Sequence, residues 1–269
     1  MQSMLRSISI IVPAYNEAVR LKDNLPRIIK FIQLHNLDAE LIVVDDGSTD
    51  DTGTVAETAF RFAENVQTQL IKNDVNRGKG YSVRVGLLAS SRPVAVFSDA
   101  DLSTPIDEVF TLIEAIEGGF DLAFGSRAID RSLIGIHQPW RREQGGRIFN
   151  MIVRIATGLP FKDTQCGFKA FRMKECRRII EEATIDRFGF DVELLFMAYR
   201  AGLKLQEVAV RWDHCDGSKV NFMRDSLRML TEVRKIRNQA QKRTYERVVH
   251  VSPASIRGES TDEPPLVEM

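Results

Sequence analysis

The sequence predicts an α/β fold, a mostly parallel sheet flanked by helices, and three observations predict it. Short apolar runs alternate with amphipathic segments along the first half. The runs are rich in β-branched residues and have strand length, while the segments between them have helix length. The chain, at 269 residues and 43% hydrophobic, is also long enough to bury a full core. Such an alternation packs helices on both faces of a parallel sheet, and ligands then gather at the carboxyl ends of the strands.

The elements follow in order. The run Ser7 to Val12 is the first predicted strand, and a helix follows near Arg20 to Leu34. A second strand is expected over Glu40 to Asp45, a helix over Asp51 to Phe62, and a third strand over Val66 to Ile71. Then come a helix over Lys79 to Ser90, a strand over Pro93 to Ser98, a helix over Ile106 to Glu117 and a strand over Phe120 to Gly125. The expected organisation is a first half over residues 1–128, a second half over 129–237, and the end of a basic helix with a disordered tail over 238–269.

Composition excludes several classes. Lys+Arg and Asp+Glu are balanced at 37 each, so no global field argues for nucleic acid. Cys166, Cys176 and Cys215 match no zinc or redox spacing, and a reducing compartment is expected. His35, His137, His214 and His250 form no ligand spacing. A strand-like run so close to the start is read as leaving no signal peptide, and no stretch approaches the roughly 20 apolar residues that span a bilayer.

Polar motifs fall at the predicted strand ends. The first strand runs into Pro13-Ala14-Tyr15-Asn16-Glu17, the second into Asp45-Asp46-Gly47-Ser48, the fourth into Asp99-Ala100-Asp101 and the fifth into Gly125-Ser126-Arg127. Asp99 and Asp101 lie on one side of the strand end, where a divalent cation bridging them to a diphosphate would relieve their repulsion. Taken alone, the pair reads as well as a helix cap ahead of Thr104-Pro105; a rim shared by all the motifs favours a site. Neither a Gly-x-Gly-x-x-Gly nor a P-loop occurs. A diphosphate would therefore need a metal and basic side chains, which Asp99, Asp101 and Arg127 supply.

These motifs, with Asn76-Arg77-Gly78-Lys79-Gly80, resemble the family 2 glycosyltransferases with a GT-A fold. In the second half, Asp163 to Lys169, Arg187 to Leu195, Glu207 to Trp212 and Gly217-Ser218-Lys219 resemble the acceptor half of the dolichyl-phosphate β-glucosyltransferases, with mannosyltransferases as near relatives. The resemblance implies a pocket for base and ribose at Pro13, Tyr15, Glu17, Val44 and Asp46. It implies Mg2+ or Mn2+ on Asp99 and Asp101, with Ala100 between them against the nucleotide, and Arg127 and Lys219 on the phosphates. Asp191 and Glu193 stand as candidates for sugar recognition or base catalysis, or as a carboxylate pair at a helix N-terminus.

The implied reaction moves glucose from UDP-glucose to a polyprenyl phosphate with inversion. GDP-mannose as donor, a glycan hydroxyl as acceptor, and a non-catalytic sugar-nucleotide-binding subunit are the alternatives. A lipid monophosphate is already largely a dianion at neutral pH, so it needs no strong general base. His214 stands where the resembled class often has a carboxylate, and Ser103 departs from the glutamine of the mannosyl enzymes.

Two segments could meet a membrane. Between Gly146 and Phe161, Arg147, Asn150, Arg154 and Thr157 recur at helical spacing, with Ile148, Phe149, Met151, Ile152, Val153 and Ile155 on the other faces. From Phe222 to Arg247, eight basic residues face three acidic ones, an excess of 8 − 3 = +5. The expectation is a cytoplasmic protein held peripherally on the cytoplasmic face of a membrane. Ser252 to Met269, with three prolines, reads as a disordered tail.

Overall fold

The β-branched run at the start forms β1 (Ser7–Ala14), followed by α1 (Ala18–Leu34), β2 (Asp38–Asp45), α2 (Thr52–Phe60), β3 (Gln67–Lys72), α3 (Lys79–Ala89) and β4 (Val94–Ser98). Then come a 3-10 turn at Ile106–Glu108, α4 (Val109–Glu117), β5 (Leu122–Ser126), β6 (Ile134–Ile136), α5 (Trp140–Thr157) and β7 (Phe168–Arg172). The chain continues through α6 (Met173–Glu182), α7 (Phe190–Arg200), β8 (Leu205–Ala209) and β9 (Trp212–Asp213), and residues 231–236 are helical (α8). This computed structural model describes residues 7–215 and 231–236. Lys219, most of the basic run and the tail from Ser252 lie outside the described residues.

Every element expected in the first half is present, with ends shifted by at most three residues, the largest shift being at α4, whose first turn is the 3-10 turn. The amphipathic segment starts earlier than expected, at Trp140 behind Pro139, and stops at Thr157 rather than Phe161. Gly158 takes the left-handed conformation that closes a helix, and Pro160 follows it.

Seven strands form one sheet in the order β3-β2-β1-β4-β7-β5-β8. All pairs are parallel except those of β7, which runs antiparallel to both β4 and β5. The two halves of the chain therefore share one sheet, with a strand of the second half wedged between two of the first. β6 and β9 form a separate parallel pair.

Strand alternation divides the core between two faces. Ile8, Ile10 and Val12 of β1 pack with Leu21, Leu25 and Ile28 of α1, while Ile11 packs with Val83 and Leu87 of α3 on the other face. Ser9 interrupts the apolar run and is fully buried. Its hydroxyl donates to Glu40 Oε1 at 2.5 Å, and the same carboxylate accepts from the Ser91 backbone N–H at 2.6 Å and the Ser91 hydroxyl at 2.9 Å. Fully satisfied polar groups of this kind cost little to bury and pin the register of β1 against β2.

Candidate active site

The carboxyl ends of β1, β2 and β4 open onto a cleft of about 410 Å3, within the range of small-molecule sites. Pro13, Tyr15 and Glu17 line it from β1 and the start of α1, Asp46 from β2, and Asp99, Ala100 and Asp101 from the end of β4. Tyr15 is 38% exposed, so it offers an aromatic face to the cleft. Arg20, one turn along α1, sets both Glu17 oxygens at 3.0 Å from its Nη1.

Asp46 holds the far wall. Its Oδ1 accepts from Asn73 Nδ2 at 2.8 Å and the Arg77 N–H at 3.0 Å, and its Oδ2 accepts from the Gly78 N–H at 2.7 Å. The loop from β3 to α3 is thereby drawn over the strand end. Gly78 is required there: its φ is 114°, and a Cβ would lie 2.4 Å from the Asp186 carbonyl oxygen. Val44, expected beside the base, is instead sealed in the core. It points to the opposite face of β2 from Val43 and is capped by α3, so its side chain cannot reach a ligand.

Lys79, the first residue of α3, reaches across the cleft and places Nζ 2.5 Å from Asp99 Oδ1. Withdrawal from water acts to lower the Lys79 pKa, but Asp99, Asp191 and Asp101 outweigh it and hold the ammonium above its ordinary value. The same withdrawal pushes the Asp99 carboxyl up, with Asp101 and Asp191 adding to the effect and Lys79 opposing it. Asp99 Oδ1 is buried and is met by the Lys79 ammonium. Asp101 accepts from the Ser103 N–H at 3.0 Å through one oxygen. Two hard carboxylates on one strand end suit a divalent cation such as Mg2+ or Mn2+. Among the described residues no third side chain of His, Cys, Asp or Glu completes a metal cluster, which leaves the remaining positions for ligand oxygens.

Arg127 does not join this cleft. β7 separates β4 from β5, so the end of β5 lies two strand spacings, roughly 10 Å, from the end of β4. Arg127 lines a second cleft of about 150 Å3, with Arg131, Arg147, Lys162, Gln165 and Trp212 among its walls. Its guanidinium is clamped by Asp163, with Nε 2.6 Å from Oδ2 and Nη2 2.9 Å from Oδ1, and it lies 5.6 Å from the Trp212 ring centroid. Burial opposes the charge, but Asp163 outweighs it and keeps the arginine firmly protonated, with Asp99 contributing. Asp163 is buried and would be raised by that alone; Arg127 holds it below the ordinary carboxylate value.

Comparison with known proteins now decides the family. Residues 9–179 match the family model described as glycosyl transferase family 2. The chain belongs to glycosyl transferase family 2. It is 33% identical over 241 residues to a dolichyl-phosphate beta-glucosyltransferase of Dictyostelium discoideum, covering 86% of this chain and 73% of the relative. The Saccharomyces cerevisiae protein of the same name is 33% identical over 250 residues, covering 84% and 72%, and that of Homo sapiens is 30% identical over 237 residues, covering 81% and 71%. Among solved structures, Mycobacterium tuberculosis glucosyl-3-phosphoglycerate synthase in complex with Mn2+, UDP and glucosyl-3-phosphoglycerate superposes with a TM-score of 0.63 at 21% identity, covering 86% of this chain and 80% of that one. That likeness establishes the fold, and the protein is a glycosyltransferase of the GT-A architecture expected from its motifs.

In this family 2 enzyme, Asp191 and Glu193 take the third course considered for them: both lie in the first turn of α7 and are buried. Glu193 accepts from the Thr184 N–H, the Thr184 hydroxyl and the Ile185 N–H at 2.8 to 3.0 Å, closing the loop that enters α7. Asp191 Oδ1 lies 2.6 Å from Nζ of Lys169, which is fully buried on β7 and also donates to the Cys166 carbonyl at 2.6 Å. Neither carboxylate is among the residues that line the two clefts. Arg20, Lys79, Arg187 and Phe188 line the transferase cleft without having been expected there. Lys79 was in view as part of the Asn76 to Gly80 motif, and Arg187 and Phe188 as the start of the Arg187 to Leu195 motif, which was assigned to the acceptor half and not to this cleft more than 80 residues away in sequence.

Proposed function

We propose that the enzyme transfers glucose from UDP-glucose to a polyprenyl phosphate with inversion at the anomeric carbon. The carrying observation is the pairing of two clefts: a carboxylate-rich one fitted to a metal and nucleotide, and a basic one beside it that opens near an outward-facing apolar stripe. In the first, Tyr15, Glu17 and Asp46 would receive base and ribose. Asp99 and Asp101 would hold the metal, which when bound neutralises charge on the diphosphate. Lys79 adds a cation against the same oxygens.

Arg127, Arg131, Arg147 and Lys162 would receive the acceptor phosphate. One phosphate oxygen attacks the anomeric carbon, the bond from that carbon to the diphosphate breaks, and the nucleotide leaves with the electron pair. The acceptor dianion supplies its own nucleophile, so no proton need be removed. A hydroxyl acceptor would require a base, and the engagement of Asp191 and Glu193 weighs against it.

The lipid chain needs a surface, and α5 offers one. Phe149 and Val153 turn inward, whereas Ile148, Met151, Ile152 and Ile155 form a stripe that is 55%, 53%, 38% and 77% exposed. Exposed Arg147 and Arg154 flank it, as suits anionic headgroups. Among the described residues no helix is long and apolar enough to cross a membrane. A peripheral seat on a membrane through α5 fits these facts, and a nucleotide-sugar donor suits the cytoplasmic face.

A donor screen with Mn2+ or Mg2+ and polyprenyl phosphate in vesicles tests the reading. UDP-glucose should give a glucosylated lipid phosphate. Turnover only with GDP-mannose, or only with a glycan hydroxyl, would replace it.

A further inference from the structure

Residues 231–236 pack onto the body of the fold. Val233 and Ile236 are 3% exposed and pack in the core face that holds Ile185 and Phe190. Glu232, next to Val233, accepts the Gly189 N–H at 2.8 Å through Oε2. The contact is close enough that a Cβ on Gly189 would lie 2.5 Å from Oε2 and 3.0 Å from the Glu232 Cβ. Gly189 ends the loop whose Arg187 and Phe188 line the donor cleft.

The other side of that loop is fixed to α3. The Tyr81 N–H donates to the Asp186 carbonyl at 3.0 Å, and Arg84 Nη2 lies 2.5 Å from Asp186 Oδ1. Residues 187 and 188 thus hang between an anchor at Asp186 and an anchor at Gly189. Burial pushes the Glu232 carboxyl above its ordinary value, and the Gly189 N–H and the charges of Arg187 and Lys235 oppose that shift.

We propose that Glu232 is a positioning residue that sets the Arg187–Phe188 wall of the donor cleft through the Gly189 N–H. Arg187 supplies a cation facing a cleft that would hold a diphosphate, so its placement governs donor affinity more than the transfer step. The consequence for the donor rests on the function proposed above, whereas the ordering of the wall does not.

The test uses the full chain with Glu232→Ala and Glu232→Gln, whose amide oxygen can still accept from Gly189. Backbone hydrogen exchange at residues 187–189 reads the wall directly; UDP affinity with Mn2+, donor KM and kcat read its consequence. Loss of one such hydrogen bond should speed exchange at Gly189 about tenfold and raise the UDP Kd and donor KM by about the same factor. In that case kcat and acceptor KM stay within about twofold of the parent values, and Glu232→Gln recovers most of both losses. Unchanged exchange at Gly189, or a fall in kcat with donor KM constant, would overturn the proposal, as would a glutamine variant no better than alanine. If Glu232→Ala does not fold, Gly189→Ala must displace the carboxylate and should raise donor KM in the same way; an unchanged KM there overturns it too. A parent protein that binds no UDP removes the donor reading, while the exchange result still decides whether Glu232 orders the wall.

Discussion

Replacing Ile148, Met151, Ile152 and Ile155 of α5 with serine removes the apolar stripe and leaves the inward pair Phe149 and Val153 in place. The four exposed fractions, 55%, 53%, 38% and 77%, together equal the exposure of about two whole side chains. Each large aliphatic side chain moved from water to an apolar phase gains about 1.5–3 kcal/mol. Full insertion of the stripe is then worth about 3–6 kcal/mol, or roughly 10²- to 10⁴-fold in partitioning. Arg147 and Arg154 add about 1 kcal/mol each near an anionic surface, an amount that salt removes. The quadruple variant should float with anionic liposomes at least tenfold less at equal protein, and its turnover of polyprenyl phosphate in vesicles should fall in proportion. With a short, water-soluble polyprenyl phosphate its turnover should match the parent. Because exposed positions lie outside the packing, its Tm should shift little. Equal flotation of variant and parent would refute the assignment of α5 as the membrane seat.

Three further outcomes are expected. Asp101→Ala should abolish metal-dependent transfer while the circular dichroism spectrum and Tm stay near the parent values; unimpaired turnover would remove Asp101 from the metal site. Asp163→Asn should cost about 2–3 kcal/mol in urea unfolding at pH 7, the cost of breaking a buried pair reduced for the partial exposure of Arg127. Because Asp163 is held below its ordinary 3.8, its contribution is complete above that value and is lost as pH falls through the lower, folded-state value. Parent stability should therefore drop more steeply than that of Asp163→Asn below about pH 4, and parallel curves would show that the pair is not linked to folding. Asp191→Asn should lose about 3–5 kcal/mol of stability by stranding Lys169, and the double variant with Lys169→Met should regain most of it. An Asp191→Asn protein of full stability but no activity would instead return Asp191 to a catalytic role.

The first half was legible because its signals are local. Strand and helix periods in that half place Pro13, Asp46 and Asp101 at strand ends, and the parallel alternation then puts those ends on one rim. Val44 was misplaced because a motif read as a string ignores the alternation of faces, which sends its side chain into the core. Asp191 and Glu193 look catalytic in sequence since two carboxylates near a helix start suit either role. Their partners, Lys169 on β7 and the N–H groups of Thr184 and Ile185, give both carboxylates a structural part and cannot be read from spacing.

The sequence by itself determined the fold class, the family and the strand-end rim that brings Asp46, Asp99 and Asp101 to one cleft, since each rests on short-range period and motif. The tertiary structure alone decided which groups share a cleft. β7 arrives from the second half and inserts antiparallel between β4 and β5, and this displaces Arg127 into a separate basic cleft beside α5. It also decided that Ile148, Met151, Ile152 and Ile155 face outward, because one helix can bury only the stripe that meets the sheet. Which neighbours a strand takes depends on long-range pairing, and a side chain's chemistry follows from those neighbours.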